Sequence, residues 1–319
     1  MERKQNNFIR NTSILLLSYL FIVGCIQKPT RPTHTPPSTT GHKEPPTSPT
    51  TQVIVKEDPK IESSQPALPP PTKPYIETST QMNEFPKFGF IFSGGGAKTW
   101  AHVGVLKELQ KLKWPVHSVA GFEWGSVIAA EFAINLSANE VEWELSKFKN
   151  LNDYESFVKS AFAKKSTSNM KASFVCPSLN IPKQTSYLLN RGNLEQLVPY
   201  CLAAPGVMKP IYQSVAVLND VPSLAQHLRS TGANKIILIN VLSNNSKKNY
   251  TKDQNSTENL LWIESAALMN KKPVGVDEVV NLSLDDYGLN DFDKRREIMV
   301  KGSELSSNQL KKLANKFGL

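Results

Sequence analysis

Cysteine is scarce in this chain, with three residues in 319. Neither a disulfide-dense scaffold nor a cysteine-built metal cage can therefore organise the fold. Histidine is scarce too, with five residues, and His102 on the first helix has no second histidine or carboxylate beside it at a metal-ligand spacing. No metal site and no cofactor is expected. There is no internal repeat, and no motif fits nucleic-acid recognition despite a net charge of +9. The apolar run "SILLLSYLFIV" is well short of the roughly 20 residues that a membrane span requires.

That short run follows Arg3, Lys4 and Arg10 and reads as a secretory signal over residues 1–24. "Ile22-Val23-Gly24-Cys25" resembles a bacterial lipobox, which implies that Cys25 is acylated and becomes the new N-terminus. Several acyl chains on one residue would anchor stably, since each buried CH₂ contributes about 0.8 kcal/mol. An ordinary secretory signal with an incidental cysteine is the alternative. The expected location is the bacterial cell envelope, with the membrane as a partner through the anchor. Ile26, in place of the aspartate that retains many lipoproteins in an inner membrane, favours an outer membrane.

Of the 22 prolines, 13 fall between Gln27 and Phe85, among Thr, Ser and Lys with scarcely any aromatic residue. Such a segment buries too little apolar surface to offset its chain entropy. Residues 25–85 are expected to be a disordered, polyproline-biased tether, with a contour on the order of 190 Å at ~3.1 Å per residue. The globular domain is expected over residues 86–319.

Within that domain, short β-branched or aromatic runs alternate with amphipathic ones. Expected strands are "FGFIF" (Phe88–Phe92), "VHSVAG" around Val119, "ASFVC" ending at Cys176, "SVAVL" (Ser214–Leu218) and "KIILINV" (Lys235–Val241). Ala101, Val105, Leu109 and Leu112 recur at helical spacing between the first two. Alternating strands and helices predict an α/β fold with a mostly parallel central sheet and helices on both faces. Cys176 and Cys201 lie in apolar surroundings, and either a disulfide or two buried thiols fits an exported chain.

The first strand runs into "SGGGAKTWAHVGVLKEL". Gly94, Gly95 and Gly96 permit positive φ and close approach of backbone amides at a helix N-terminus, the makings of an anion hole. A nucleotide-binding phosphate loop needs glycine directly before the lysine, and Ala97 stands there. The second strand runs into Gly121-Phe122-Glu123-Trp124-Gly125, a tight strand-to-helix turn with the outline of a nucleophile elbow. A hydrolase carries serine at the apex of such a turn, and here the residue is Glu123.

These two turns, in this order, resemble the patatin-like phospholipases. The resemblance continues through "YCLAAPGVMKPIY" (Tyr200–Tyr212), "SVAVLNDVPSLAQHLRSTGANKIILINV" and "GVDEVVNLSLDDYGLNDFDKRREIMVKG", covering roughly Phe88 to Gly318. It implies a three-layer sandwich and a serine–aspartate dyad with an oxyanion hole at Gly94, Gly95, Gly96 and Ala97. It places the elbow glycines at Gly121 and Gly125, the nucleophile at Glu123 and the catalytic aspartate at Ser214. Two glycines of the family's aspartate motif fall on Val215 and Ala216. Both dyad positions are thus substituted, and losing the nucleophile alone typically costs on the order of 10⁶ in turnover.

A non-catalytic protein that binds a lipid, an acyl group or an envelope partner is therefore the leading expectation. Glu123 would lie in the oxyanion hole as a built-in anion, with Ser214 placed to donate to it. One rival is an active lipid acyl hydrolase, with Ser214 as nucleophile and Glu123 as base. Another is a structural envelope protein that keeps the fold as an interaction surface. Ser126 reads as a helix cap, Ser93 as a turn residue and His102 as a packing residue. Trp124 either lines an acyl pocket or packs the core. Lysines in "KSAFAKKSTSNMKAS" and "NKKP" either steer the domain to anionic head groups or form a solvated face.

Overall fold

The computed structural model describes residues 85–205, 207–243 and 257–319. The expected signal peptide, acylated Cys25 and tether lie outside the described residues. Strand β1 (Phe88–Phe92) alternates strictly: Phe88, Phe90 and Phe92 pack into one apolar cluster, and Ile91 into another on the opposite face. This period of two is the pleat of a strand buried on both sides. β1 pairs in parallel with β2 (Val116–Gly121) on one side and β6 (Lys235–Asn240) on the other.

The sheet extends in parallel from β6 to β7 (Glu278–Asn281) and from β2 to the first residues of β3 (Ser173–Asn180). The far half of β3 changes partners, pairing antiparallel with β4 (Thr185–Leu189) and β5 (Ser214–Ala216). The order is β4-β3-β2-β1-β6-β7, with β5 attached to β3. Helices cover both faces. α1 (Ala101–Lys111), α2 (Trp124–Asn135), α3 (Ala138–Ser146), α4 (Tyr154–Ala161), α5 (Leu194–Leu202) and α8 (Arg295–Phe317) contribute to the larger core with the β1 phenylalanines. α6 (Val221–Ser230) and Met269 of α7 (Thr257–Asn270) pack against Ile91, Ile236 and Leu238 on the other face. The expected α/β sandwich is observed.

Strand boundaries differ where local propensity misleads. β3 runs past Cys176 through Pro177 to Asn180, because two antiparallel partners hold a stretch that looks like a strand breaker. The "SVAVL" strand stops at Ala216. β4 has three exposed residues and no buried alternation, and β7 is four residues long, so neither stands out from its sequence. Cys176 and Cys201 form a disulfide with Cα atoms 6.0 Å apart, tying β3 to α5. Closing a loop of 25 residues in the unfolded chain is worth about 3 kcal/mol in the chain-entropy account.

Candidate functional site

The site is built where β1 and β2 end side by side. β2 turns into α2 at Glu123, whose backbone sits at φ 50 and ψ −127, a conformation that glycine adopts readily and other residues rarely do. The turn persists because its neighbours interlock. A Cβ on Gly121 would lie 2.2 Å from the Gly125 carbonyl oxygen, and one on Gly125 would lie 2.6 Å from those of Phe92 and Ser93. Only glycine fits at either position, so the elbow is a backbone-on-backbone contact between strand, turn and helix.

Glu123 is 3 % exposed. Its Oε2 accepts hydrogen bonds from the amides of Gly95 and Gly96, each at 3.1 Å, and its side chain packs against Gly94. The carboxylate thus sits at two converging donors near the N-termini of two helical segments, where a negative group is electrostatically favoured. Ala97, expected as a further donor of the anion hole, is not available to it: its amide donates to the Leu289 carbonyl at 2.7 Å. Leu289 comes this close because Gly96 has no side chain, and a Cβ there would lie 2.2 Å from the same carbonyl oxygen.

Over Glu123 lies a cavity of about 10 Å³, walled by Trp124, Met208, Trp262, Leu289 and Phe292 among others. That is room for roughly one water molecule. Trp124 is fully buried and packs on Trp100 and Phe148 with ring centroids 5.2 and 4.7 Å away. Phe292 joins the same aromatic cluster. The tryptophan therefore fills the space beside the elbow.

Ser214 opens β5, opposite Asn180 of β3, and is buried. Its backbone exchanges two hydrogen bonds with Ile211, both 2.9 Å, and it is not part of the wall of the cavity over Glu123. Ser126 is not the helix cap that it was expected to be. α2 already begins at Trp124, and the Ser126 hydroxyl donates to the Glu123 carbonyl at 2.5 Å. Ser93 is more than a turn residue: its hydroxyl accepts from the Val241 amide at 3.0 Å and ties the glycine loop to the end of β6.

His102 is fully buried, with Nε2 2.9 Å from the Ser93 carbonyl. A carbonyl only accepts, so Nε2 carries the proton. Burial pushes the His102 pKa down to about 4 and keeps the ring neutral. Lys98, in the turn after the glycines, is 3 % exposed. Burial pushes its ammonium down to about 8, opposed by the charges of Asp285 and Asp291. Leu289, Trp262 and the two aspartates escaped the sequence reading; the one signal for Leu289 and the aspartates was the likeness of the segment after Gly275 to the end of the family domain, and Trp262 had none. Among the described residues no group of three or more His, Cys, Asp or Glu could hold a metal ion.

A family model described as Patatin-like phospholipase matches residues 90–301. The chain is 23% identical over 178 residues to a lysophospholipase nte1 of Aspergillus fumigatus, covering 48% of this chain and 12% of that protein. It is 22% identical over 149 residues to an uncharacterized NTE family protein of Mycobacterium tuberculosis, covering 41% of this chain and 26% of the other. The matched part is a minor share of either relative. Among solved structures, the type III effector protein ExoU is similar at 12% identity and a TM-score of 0.30, over 71% of this chain and 53% of that one.

Proposed function

We propose a function from one premise: the chain belongs to the patatin-like phospholipase family. It keeps the family's fold without its hydrolysis, and acts as a membrane-anchored binding protein. The observation that carries this reading is the Glu123 carboxylate on the Gly95 and Gly96 amides. Ester hydrolysis needs those donors for the oxyanion of a tetrahedral intermediate, and needs a hydroxyl at the apex to form it. Here a carboxylate stands at the apex and already engages the donors.

The cavity of about 10 Å³ supports the same conclusion, because among the described residues it leaves no room for an acyl chain beside Glu123. Ligands in contact with the outer surface, an envelope protein or lipid head groups, fit better than a buried acyl group. The exchanged dyad fits poorly. A carbonyl attacked by Ser214 would lie away from the glycine-loop amides, and small displacements of that kind cost about 10²-fold. Anchoring through Cys25 places the domain at the bacterial envelope.

The full chain, purified in detergent, is offered p-nitrophenyl esters and a fluorophosphonate probe. The expected result is no turnover or labelling above a Glu123→Ala, Ser214→Ala control. Turnover that survives repurification and disappears in the control would overturn the reading. Glu123→Ser with Ser214→Asp is expected to restore activity in part at best, because Val215 and Ala216 stand where the family has glycines.

A further inference from the structure

A groove of about 520 Å³ opens between α4, α5 and the turn before β5. It shares no wall residue with the cavity over Glu123, so an active and an inactive elbow leave it alike. Its volume lies within the roughly 300–1,000 Å³ of sites that hold a ligand. We infer that this groove binds an extended, proline-containing segment of a partner protein that carries lysine or arginine.

The shape of its walls argues for that occupant. Val158, Pro199, Pro210 and Ile211 supply an apolar floor, and the rings of Tyr154 and Tyr212 stand beside it. Two walls are helices, whose backbone groups are largely bonded internally. A polyproline segment makes few backbone demands and arrives already extended, so flat apolar and aromatic surfaces suit it.

The charges select its sign. Glu155 and Glu195 face the groove against a single cation, Lys159. The groove is therefore net negative on a chain whose overall charge is +9. A basic segment is attracted here.

The aromatic wall is held in place before any ligand arrives. Tyr212 and Gln213 have φ of 47 and 62, so two consecutive residues without glycine occupy the left-handed region. The paired hydrogen bonds between Ile211 and Ser214 close this turn. Tyr212 is 79% exposed, yet its ring lies 5.7 Å from that of Tyr200. Strain of this kind persists where the surroundings enforce it, and it gathers at ligand clamps. The α5 wall is fixed as well, by the Cys176–Cys201 disulfide and by the Ser178 hydroxyl donating to the Tyr200 carbonyl at 2.8 Å.

The test titrates the full chain in detergent against a fluorescein-labelled peptide, Ala-Pro-Pro-Arg-Pro-Pro-Lys-Pro, read by polarisation. Two control peptides replace the basic residues by glutamate or the prolines by glycine. Saturable binding is expected for the first peptide alone. Tyr212→Gly suits the turn's positive φ, so it should fold like the wild type while weakening binding about tenfold, the loss of an aromatic anchor. Glu155→Lys with Glu195→Lys should weaken it at least as much. No saturable binding, equal binding of the glutamate peptide, or full affinity in Tyr212→Gly would overturn the proposal. Equal binding of the glycine peptide would also overturn it, by reducing the groove to a site for cations.

Discussion

The elbow at Gly121–Gly125 and strand β5 at Ser214–Ala216, where the resemblance puts the two halves of the family's dyad, are built in different ways. At the elbow the backbone is held fast: two glycines touch backbone directly, and Glu123 keeps its strained conformation. At β5, Val215 and Ala216 take ordinary antiparallel register with Leu179 and Ser178. Positive φ is found one turn earlier, at Tyr212 and Gln213. A turn locked between strand and helix can change its side chain but not its path, whereas a short strand attached to one neighbour can change both.

The most severe test of that contrast is Gly121→Ala, whose Cβ would be driven into the Gly125 carbonyl. Neither side of the contact is a flexible side chain, so a loss of about 4 kcal/mol is expected in chemical denaturation. A loss below about 1 kcal/mol, the size of a routine surface change, would mean that the elbow is not interlocked.

Acid should act next most strongly, through His102 beneath the glycine loop. Its folded pKa of about 4 lies below the ordinary 6.5, so between those values the unfolded chain takes up a proton that the folded chain refuses. The histidine's contribution is full above about pH 6.5 and falls toward pH 4, by about 3 kcal/mol. Glu131, pushed up to about 7 by burial, acts in the opposite sense: its contribution falls as pH rises from its ordinary value toward 7. Comparing wild type with His102→Gln, which leaves Glu131 in place, isolates the histidine. Without the histidine's acid penalty the gain from Glu131 is unopposed, so the variant's melting temperature should rise relative to that of the wild type as pH falls from 7 to 4.5.

Glu123→Ala removes the acceptor of two buried amides and should cost about 2 kcal/mol. Glu123→Gly loses the same bonds but relaxes the backbone, so it should be about 1 kcal/mol more stable than the alanine variant. Equal stabilities would show that the elbow stores no strain. The smallest effect is expected at β5, where Val215→Gly should cost about 1 kcal/mol, the entropy and lost packing of a glycine in a strand. A cost matching that of Gly121→Ala would erase the difference between the two regions.

Much of the architecture was legible in order and pattern. "FGFIF" shows a strand, and "GFEWG" shows a tight strand-to-helix turn. β4 and β7 were not legible, because exposed or very short strands carry little apolar alternation. Nor was the loss of the Ala97 amide, because nothing near Ala97 hints that Leu289 will reach it. The pairing of Cys176 with Cys201 stayed open for the same reason: two apolar cysteines read alike whether bonded or free until β3 and α5 are set side by side.

By itself the sequence determined the alternation of strands and helices, the glycines that permit two tight turns, and the presence of a carboxylate where a hydroxyl is expected. Those are properties of neighbours along the chain, written in spacing and residue type. Tertiary structure alone decided that the carboxylate meets the Gly95 and Gly96 amides, 28 and 27 residues away, and that aromatic rings and the Leu289 carbonyl close the space around it. Hydrogen bonds and van der Waals contacts act over a few ångströms, and such distances between remote residues exist only once β1 and β2 lie together.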